Sequence, residues 1–101
     1  MTLFYSVRSD PIRDTVVTVM QLWEISDDVG NCWSKVGPLL HIPASVILHI
    51  DEEHRRNRDK AKAILFMWKW QEGLSATVGR LADVLEEVGR KDIAEILLRG
   101  E

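Results

Sequence analysis

Residues Ala61 to Trp70 read AKAILFMWKW, a run whose apolar side chains point in nearly every direction once it is wound into a helix. At about 100° per residue, Ala61, Ile64, Leu65 and Trp68 share one stripe, while Ala63, Phe66 and Trp70 fall on the stripe opposite. One stripe can face a core. The other needs a cover from elsewhere in the chain or a partner, because exposed apolar surface of that extent is uncommon on a monomer.

The rest of the chain reads as further short helices. The segment Met1 to Arg13 lacks clean periodicity and forms an N-terminal extension (residues 1–13), with Pro11 marking a boundary before a domain over residues 14–101. A first helix runs from Asp14 to Gly30, capped by Asp14 or Asp10, with Leu22, Ile25 and Val29 on one stripe and Val16, Met20 and Trp23 roughly opposite. Asn31 caps a second helix, CWSKVGPLL, in which Trp33, Val36 and Leu40 share a face and Pro38 removes the bond to Ser34. A third, ASVILHID, turns Ile47 and Ile50 inward and leaves Val46 and Leu48 outward. After the charged stretch DEEHRRNRD, Asn57 caps the central helix, with Asp59 in its first turn favoured by the helix dipole and Gly73 as its stop. Ser75 caps a fifth helix carrying Val78, Leu81, Leu85 and Val88 inward, where Gly79 permits close approach of a neighbouring helix. A sixth spans Lys91 to Arg99, with Ile93 and Leu97 inward and Gly100 as terminator. Six helices with short connections and no strand predict an all-α, six-helix antiparallel bundle.

Size and charge narrow the functional classes. A chain of 101 residues fits one domain. Its net charge of -3 supplies no general field for nucleic acid or an anionic membrane. The lone Cys32 cannot close an intrachain disulfide, no apolar run approaches the ~20 residues of a membrane span, and the start lacks a signal-peptide pattern; the expected compartment is the cytosol. Cys32, His41, His49 and His54 have no metal-ligand spacing, so no metal or cofactor is expected. No nucleophile stands at motif spacing from a base, and neither a phosphate-binding loop nor a nucleophile-elbow motif occurs, so no enzyme and no small-molecule substrate are expected. A helix-turn-helix reading of Asn31 to Asp51 would offer Ala44, Ser45, Val46, Leu48 and His49 to a DNA groove without one Arg or Lys, which argues against DNA binding.

The particular residues resemble the death domain family. The features that carry this are Trp33 opening the second helix, the Leu40-His41-Ile42 exit, Ile47 and Ile50, Leu65 and Trp68, Ala76-Thr77-Val78 with Leu81 and Leu85, and Gly89-Arg90-Lys91-Asp92-Ile93. Their order and spacing match over roughly Thr18 to Leu98. Ile25 to Gly30 and Ala76 to Ile93 resemble two different adaptors of the family, so the resemblance is to the family. The Arg90-x-Asp92 pair is similar to the death effector subfamily, but Trp33 and Trp68 together fit the death domain better. Pro38, Phe66 and Trp70 depart from the polar residues usual in the family at those positions.

The resemblance implies a Greek-key death fold and a non-catalytic module. Its partners would be other death-domain proteins, itself included, in apoptotic or innate-immune signalling. It also implies three asymmetric contact types that build helical oligomers: the first and fourth helices against a neighbour's second and third, the end of the fourth against the loop between fifth and sixth, and the third against loops before the second and fourth. On that basis the candidate partner-binding residues are Trp23, Asp27, Asp28, Leu48, Arg55, Arg56, Arg58, Lys62, Phe66, Trp70, Glu86, Glu87, Arg90 and Asp92.

Two questions stay open at this level. Phe66 and Trp70, with Met20 and Trp23, are either covered by Met1 to Arg13 or form a contact patch. The cationic run from His54 to Lys62 is either a solvated face or half of a charged contact whose other half is acidic, which would favour head-to-tail growth that weakens with salt. The alternative assembly is an obligate homodimer closed by a two-fold axis.

Overall fold

Thr18 starts the first long helix. Its hydroxyl accepts from the Gln21 N–H at 3.1 Å while the Gln21 side chain accepts from the Thr18 N–H at 2.9 Å, a reciprocal box that satisfies two of the orphan donors of the first turn. The computed structural model describes residues 11–99 of the chain, and α1 spans Val19–Val29. The helix therefore starts five residues later than the sequence pattern predicts. Asp14 instead ends a separate helical turn, Pro11–Asp14, and Val16 lies outside α1, bridged to Thr77 in an antiparallel pair.

A 3-10 turn over Gly30–Cys32 leads into α2, Trp33–Leu39. Asn31 does not cap α2; its Oδ1 accepts a hydrogen bond from Asn57 Nδ2. Pro38 is tolerated because it stands one residue from the helix end, where only the single N–H bond to Ser34 is forgone. The exit is a Schellman turn: Ile42 N–H donates to the Gly37 carbonyl at 3.1 Å and His41 N–H to the Pro38 carbonyl at 3.0 Å, with His41 left-handed at φ 64°.

Helix α3 is Ala44–Glu53, entered from Pro43. Ile50 is buried, Ile47 is half-buried and Leu48 is exposed, but Val46, expected outward, is half-buried against the core. Helix α4 is Asn57–Glu72, with Arg56 at the cap position and Asn57 already inside the first turn, so the expected Asn57 cap does not form. Gly73, at φ 58°, ends it as expected. Ser75 sits in the 3-10 turn Gly73–Ser75, and the cap of α5, Val78–Glu87, is Thr77, whose hydroxyl accepts from the Arg80 N–H at 3.3 Å. Helix α6 is Lys91–Leu98; the expected stop at Gly100 lies outside the described residues. Among the described residues no strand forms beyond the single bridge.

The core collects one stripe from each helix. Leu22, Ile25 and Val29 of α1 meet Ala61, Ile64, Leu65 and Trp68 of α4, and Val78, Leu81 and Leu85 of α5 meet Ile93 and Leu97 of α6; all are buried. Three side-chain contacts run down the α1–α4 seam: Asp27 to Arg58, Trp23 to Lys62, and the Val17 carbonyl to Lys69. The residue number falls in one helix as it rises in the other, so the two are antiparallel.

The turn Pro11–Asp14 docks on α5 at Gly79. A β-carbon there would stand 3.0 Å from the Arg13 carbonyl oxygen, so the missing side chain is what lets the turn approach. Arg13 Nη2 then donates to Asp83 Oδ1 at 2.7 Å and to the Gly79 carbonyl at 3.3 Å. Backbone bonds from Val17 N–H to the Ala76 carbonyl (2.9 Å) and from Val78 N–H to the Thr15 carbonyl (2.8 Å) complete the attachment.

Two outcomes are expected. Trp68→Ala deletes a fully buried indole and should cost roughly 3–5 kcal/mol in denaturant unfolding, a large share of the stability of a domain this size. Gly79→Ala gains up to about 1 kcal/mol of helix propensity but pushes against Arg13, so global stability should change by no more than about 1 kcal/mol while the turn lifts. Amide exchange at Val17 and Val78 should then accelerate at least about tenfold, reporting local opening.

Candidate partner-binding surface

Most of the large apolar side chains left in water stand on the outer surface of α1 and of α4 with its trailing turn. Val19, Met20 and Trp23 of α1 and Met67, Trp70 and Leu74 of α4 and its trailing turn are exposed, and Leu48 on α3 stands apart. Met20, Trp23, Trp70 and Leu74 are 68%, 57%, 69% and 86% exposed. Phe66 is half-buried, packed against the core at its base. Whether residues 1–10 bear on this face, the covering role considered for Met1 to Arg13, lies outside the described residues; of that segment, Ile12 and Arg13 are placed beside the core and α5.

Charged groups frame the face. The Lys62 ammonium lies 4.0 Å from the centre of a Trp23 ring, a contact worth ~0.5–1 kcal/mol at such an exposed site. Arg58 Nε pairs with Asp27 at 3.5 Å. Two shallow clefts share Lys62 and Asp59: one of about 260 Å³ is bounded by Trp23, Asp27 and Arg58, the other of about 270 Å³ by His54, Ala63 and Phe66. The fold thus brings together Trp23, Asp27, Arg58, Lys62 and Phe66, with Trp70 one turn further along α4.

The remaining candidates lie elsewhere. Arg55 and Arg56, in the link between α3 and α4, are exposed and have no ion-pair partner among the described residues. Leu48 is isolated on α3. Asp28 is exposed at the end of α1, and Glu86 and Glu87 at the end of α5. Part of the cationic run is paired within the chain: Arg58 is bonded to Asp27, and Lys60 is bonded to Asp51 with its ammonium 5.5 Å from the centre of a Trp33 ring.

Arg90 and Asp92 hold the chain together. Arg90 grips Asp92 through Nε and Nη2 at 3.1 and 3.0 Å, and its Nη1 donates to the Asp28 carbonyl at 3.0 Å and lies 3.8 Å from Cys32 Sγ. The guanidinium ties the α5–α6 turn to the end of α1. Its hydrogen bonds to Asp92 and Cys32 raise its pKa further, and the guanidinium's bond to Asp92 holds that carboxyl below its ordinary value of 3.8.

Sequence reasoning passed over His54 and Asp59 as cleft walls, and Met67 and Leu74 as part of the apolar face. Continuing the outer stripe of α4 past Trp70 by one turn would have reached Leu74. Among the described residues no group of His, Cys, Asp and Glu converges as a metal site, and no helix is long and apolar enough to cross a membrane.

The depressed carboxyl has a measurable consequence. Stability from the Arg90–Asp92 pair is present above the unfolded pKa near 3.8 and is lost as pH falls through the lower folded value. Asp92→Asn should therefore lower the melting temperature by a constant amount from pH 7 down to about 4, with the gap to the parent closing at more acid pH.

The death domain family model matches residues 8–100 of the chain. THO complex subunit 1 from Mus musculus and from Homo sapiens are each 33% identical over 88 residues, covering 87% of this chain. Receptor-interacting serine/threonine-protein kinase 1 from Homo sapiens is 32% identical over 87 residues, covering 83% of it. The chain spans about 13% of the length of each of these relatives. The six helices, the match along nearly the whole chain and the buried Trp68 at the centre of α4 agree with one another: this chain belongs to the death domain family, whose domains are non-catalytic protein-interaction modules.

Proposed function

We propose that this domain assembles signalling complexes, apoptotic or innate-immune, by binding other death domains in the cytosol, with the α1–α4 face as its principal docking surface. The observation that carries this is the concentration of Met20, Trp23, Phe66 and Trp70 beside Lys62 and Arg58. Aromatic side chains framed by cations are the composition that dominates interface energetics once a partner excludes water. Exposed Arg55 and Arg56 at one side, and exposed Glu86 and Glu87 at the end of α5, supply complementary charge for contacts that propagate head to tail. The cytosolic setting is supported by the lone half-buried Cys32, which has no second thiol to pair with in the chain. DNA binding has less support, because α3, which would enter the groove, carries no Lys or Arg.

The test is binding to a panel of isolated death domains, including that of receptor-interacting serine/threonine-protein kinase 1, at rising salt. At least one should bind. Trp70→Ser should weaken binding at least about tenfold, since exposed aromatic anchors concentrate affinity, and Arg55→Glu should weaken it at low salt while losing its effect at high salt. No binding to any member of the panel would refute the proposal.

A further inference from the structure

The outer stripe of α4 is chemically complementary to itself. Arg58, Lys62, Phe66 and Trp70 recur every four residues, cations in the N-terminal half and an indole in the C-terminal half, with Phe66 midway between Lys62 and Trp70. Ridges of residues four apart are the ones that most often interlock when two helices pack. When two copies of α4 meet antiparallel about a two-fold axis through Phe66, each Lys62 falls opposite the other copy's Trp70.

We infer that, in the absence of another partner, this domain forms a closed two-fold dimer through its α1–α4 face, with Lys62 of each copy held between its own Trp23 and the second copy's Trp70. One side of that arrangement is already built, since the Lys62 ammonium stands 4.0 Å from a Trp23 ring. Lys62 forms no ion pair among the described residues, and Trp70, although the Lys69 ammonium stands 5.7 Å from its ring centre, is 69% exposed, so both can reach a second copy.

The surface is large enough. Trp23 and Trp70 together leave on the order of 300 Å² of side chain in water per copy. Met20 and Phe66 bring the face toward the ~600 Å² per partner at which specific interfaces begin. The contact is centred on the ~12 Å of α4 between Lys62 and Trp70, because helices packed by such ridges cross at about 50° and then diverge. A two-fold contact uses the same patch on both copies and cannot propagate, so the dimer would occlude the face that a different death domain needs. The inference rests on the α1–α4 face being a docking surface, as proposed above.

The experiment is sedimentation equilibrium of the 101-residue chain as the parent, Lys62→Glu, Trp70→Lys, and the two combined. The parent should saturate as a dimer, each single variant should raise the dissociation constant at least about tenfold, and the double variant should recover to within about threefold of the parent. Residues 62 and 70 lie two turns apart on one helix and do not touch within a chain, so recovery reports a contact between copies. A monomeric parent, growth beyond two copies, or a double variant no tighter than the singles would each overturn the dimer. A monomer that still binds another death domain would overturn it while leaving the proposed function intact. Should either charge variant fail to fold, Phe66→Cys in a Cys32→Ser background gives the second reading: a disulfide-linked dimer on mild oxidation supports the axis through Phe66, and cross-linking no greater than that of Leu48→Cys in the same background overturns it.

Discussion

The antiparallel seam between α1 and α4 is the contact from which the rest of the molecule takes its geometry. Leu22, Ile25 and Val29 on one side and Ala61, Ile64, Leu65 and Trp68 on the other are all buried, and burial of apolar surface is the largest favourable term in folding a domain of this size. Because each helix turns one stripe toward the shared core, the side chains that flank the seam on its solvent side, Trp23 and Asp27 of α1 and Lys62 and Arg58 of α4, become neighbours. The exposed face carrying Met20, Trp23, Phe66 and Trp70 is thus a geometric product of the core beneath it. Lys62 over Trp23, Arg58 on Asp27 and Lys69 on the Val17 carbonyl then fix the register at which the two outer stripes lie side by side.

What could be read from the sequence follows from the range of the forces involved. Hydrophobic periodicity is a property of each helix, and it places Leu65, Trp68, Leu81, Leu85, Ile93 and Leu97 correctly in the core and Leu48 outside it. Helix starts depend on which of several hydroxyl, amide and carboxyl side chains reaches the free backbone N–H groups, and here the periodic signal is silent. Thr18 and Thr77 begin helices for which Asp14 and Ser75 were equally good candidates by residue type, and α4 begins from Arg56, which makes no side-chain cap, although Asn57 beside it was the better cap by type. The Thr18–Gln21 box was the one start written in full, three residues apart, ahead of an apolar run.

The candidate surface was legible to a lesser degree, because charge pairing is decided by tertiary neighbours. A run such as Arg55 to Lys62 reads as one cationic block, yet the fold divides it: Arg58 and Lys60 go to Asp27 and Asp51, Lys62 to an indole, and Arg55 and Arg56 have no ion-pair partner among the described residues. Arg90 and Asp92 show the same effect. These two residues pair with each other at the surface, and Arg90 also reaches the Asp28 carbonyl, so the pair braces the α5–α6 turn against the end of α1. The apolar component was easier to foresee, since a helix with two apolar stripes can bury only one of them in a bundle with a single core.

The Schellman turn at the end of α2 bears on how far this domain stands from its own stability limit. Its left-handed corner, which glycine fills most readily, holds His41 at φ 64° with the imidazole in solvent. A side chain there sacrifices roughly 1 kcal/mol relative to glycine, a sizeable amount for a fold whose total margin is about 5–15 kcal/mol. The corner's hydrogen bonds involve none of the residues of the α1–α4 face or of the Arg90 brace, so it offers a place to make the bundle sturdier before cutting into its aromatic surface. Damage to that surface could then be read as lost binding in a domain that still folds.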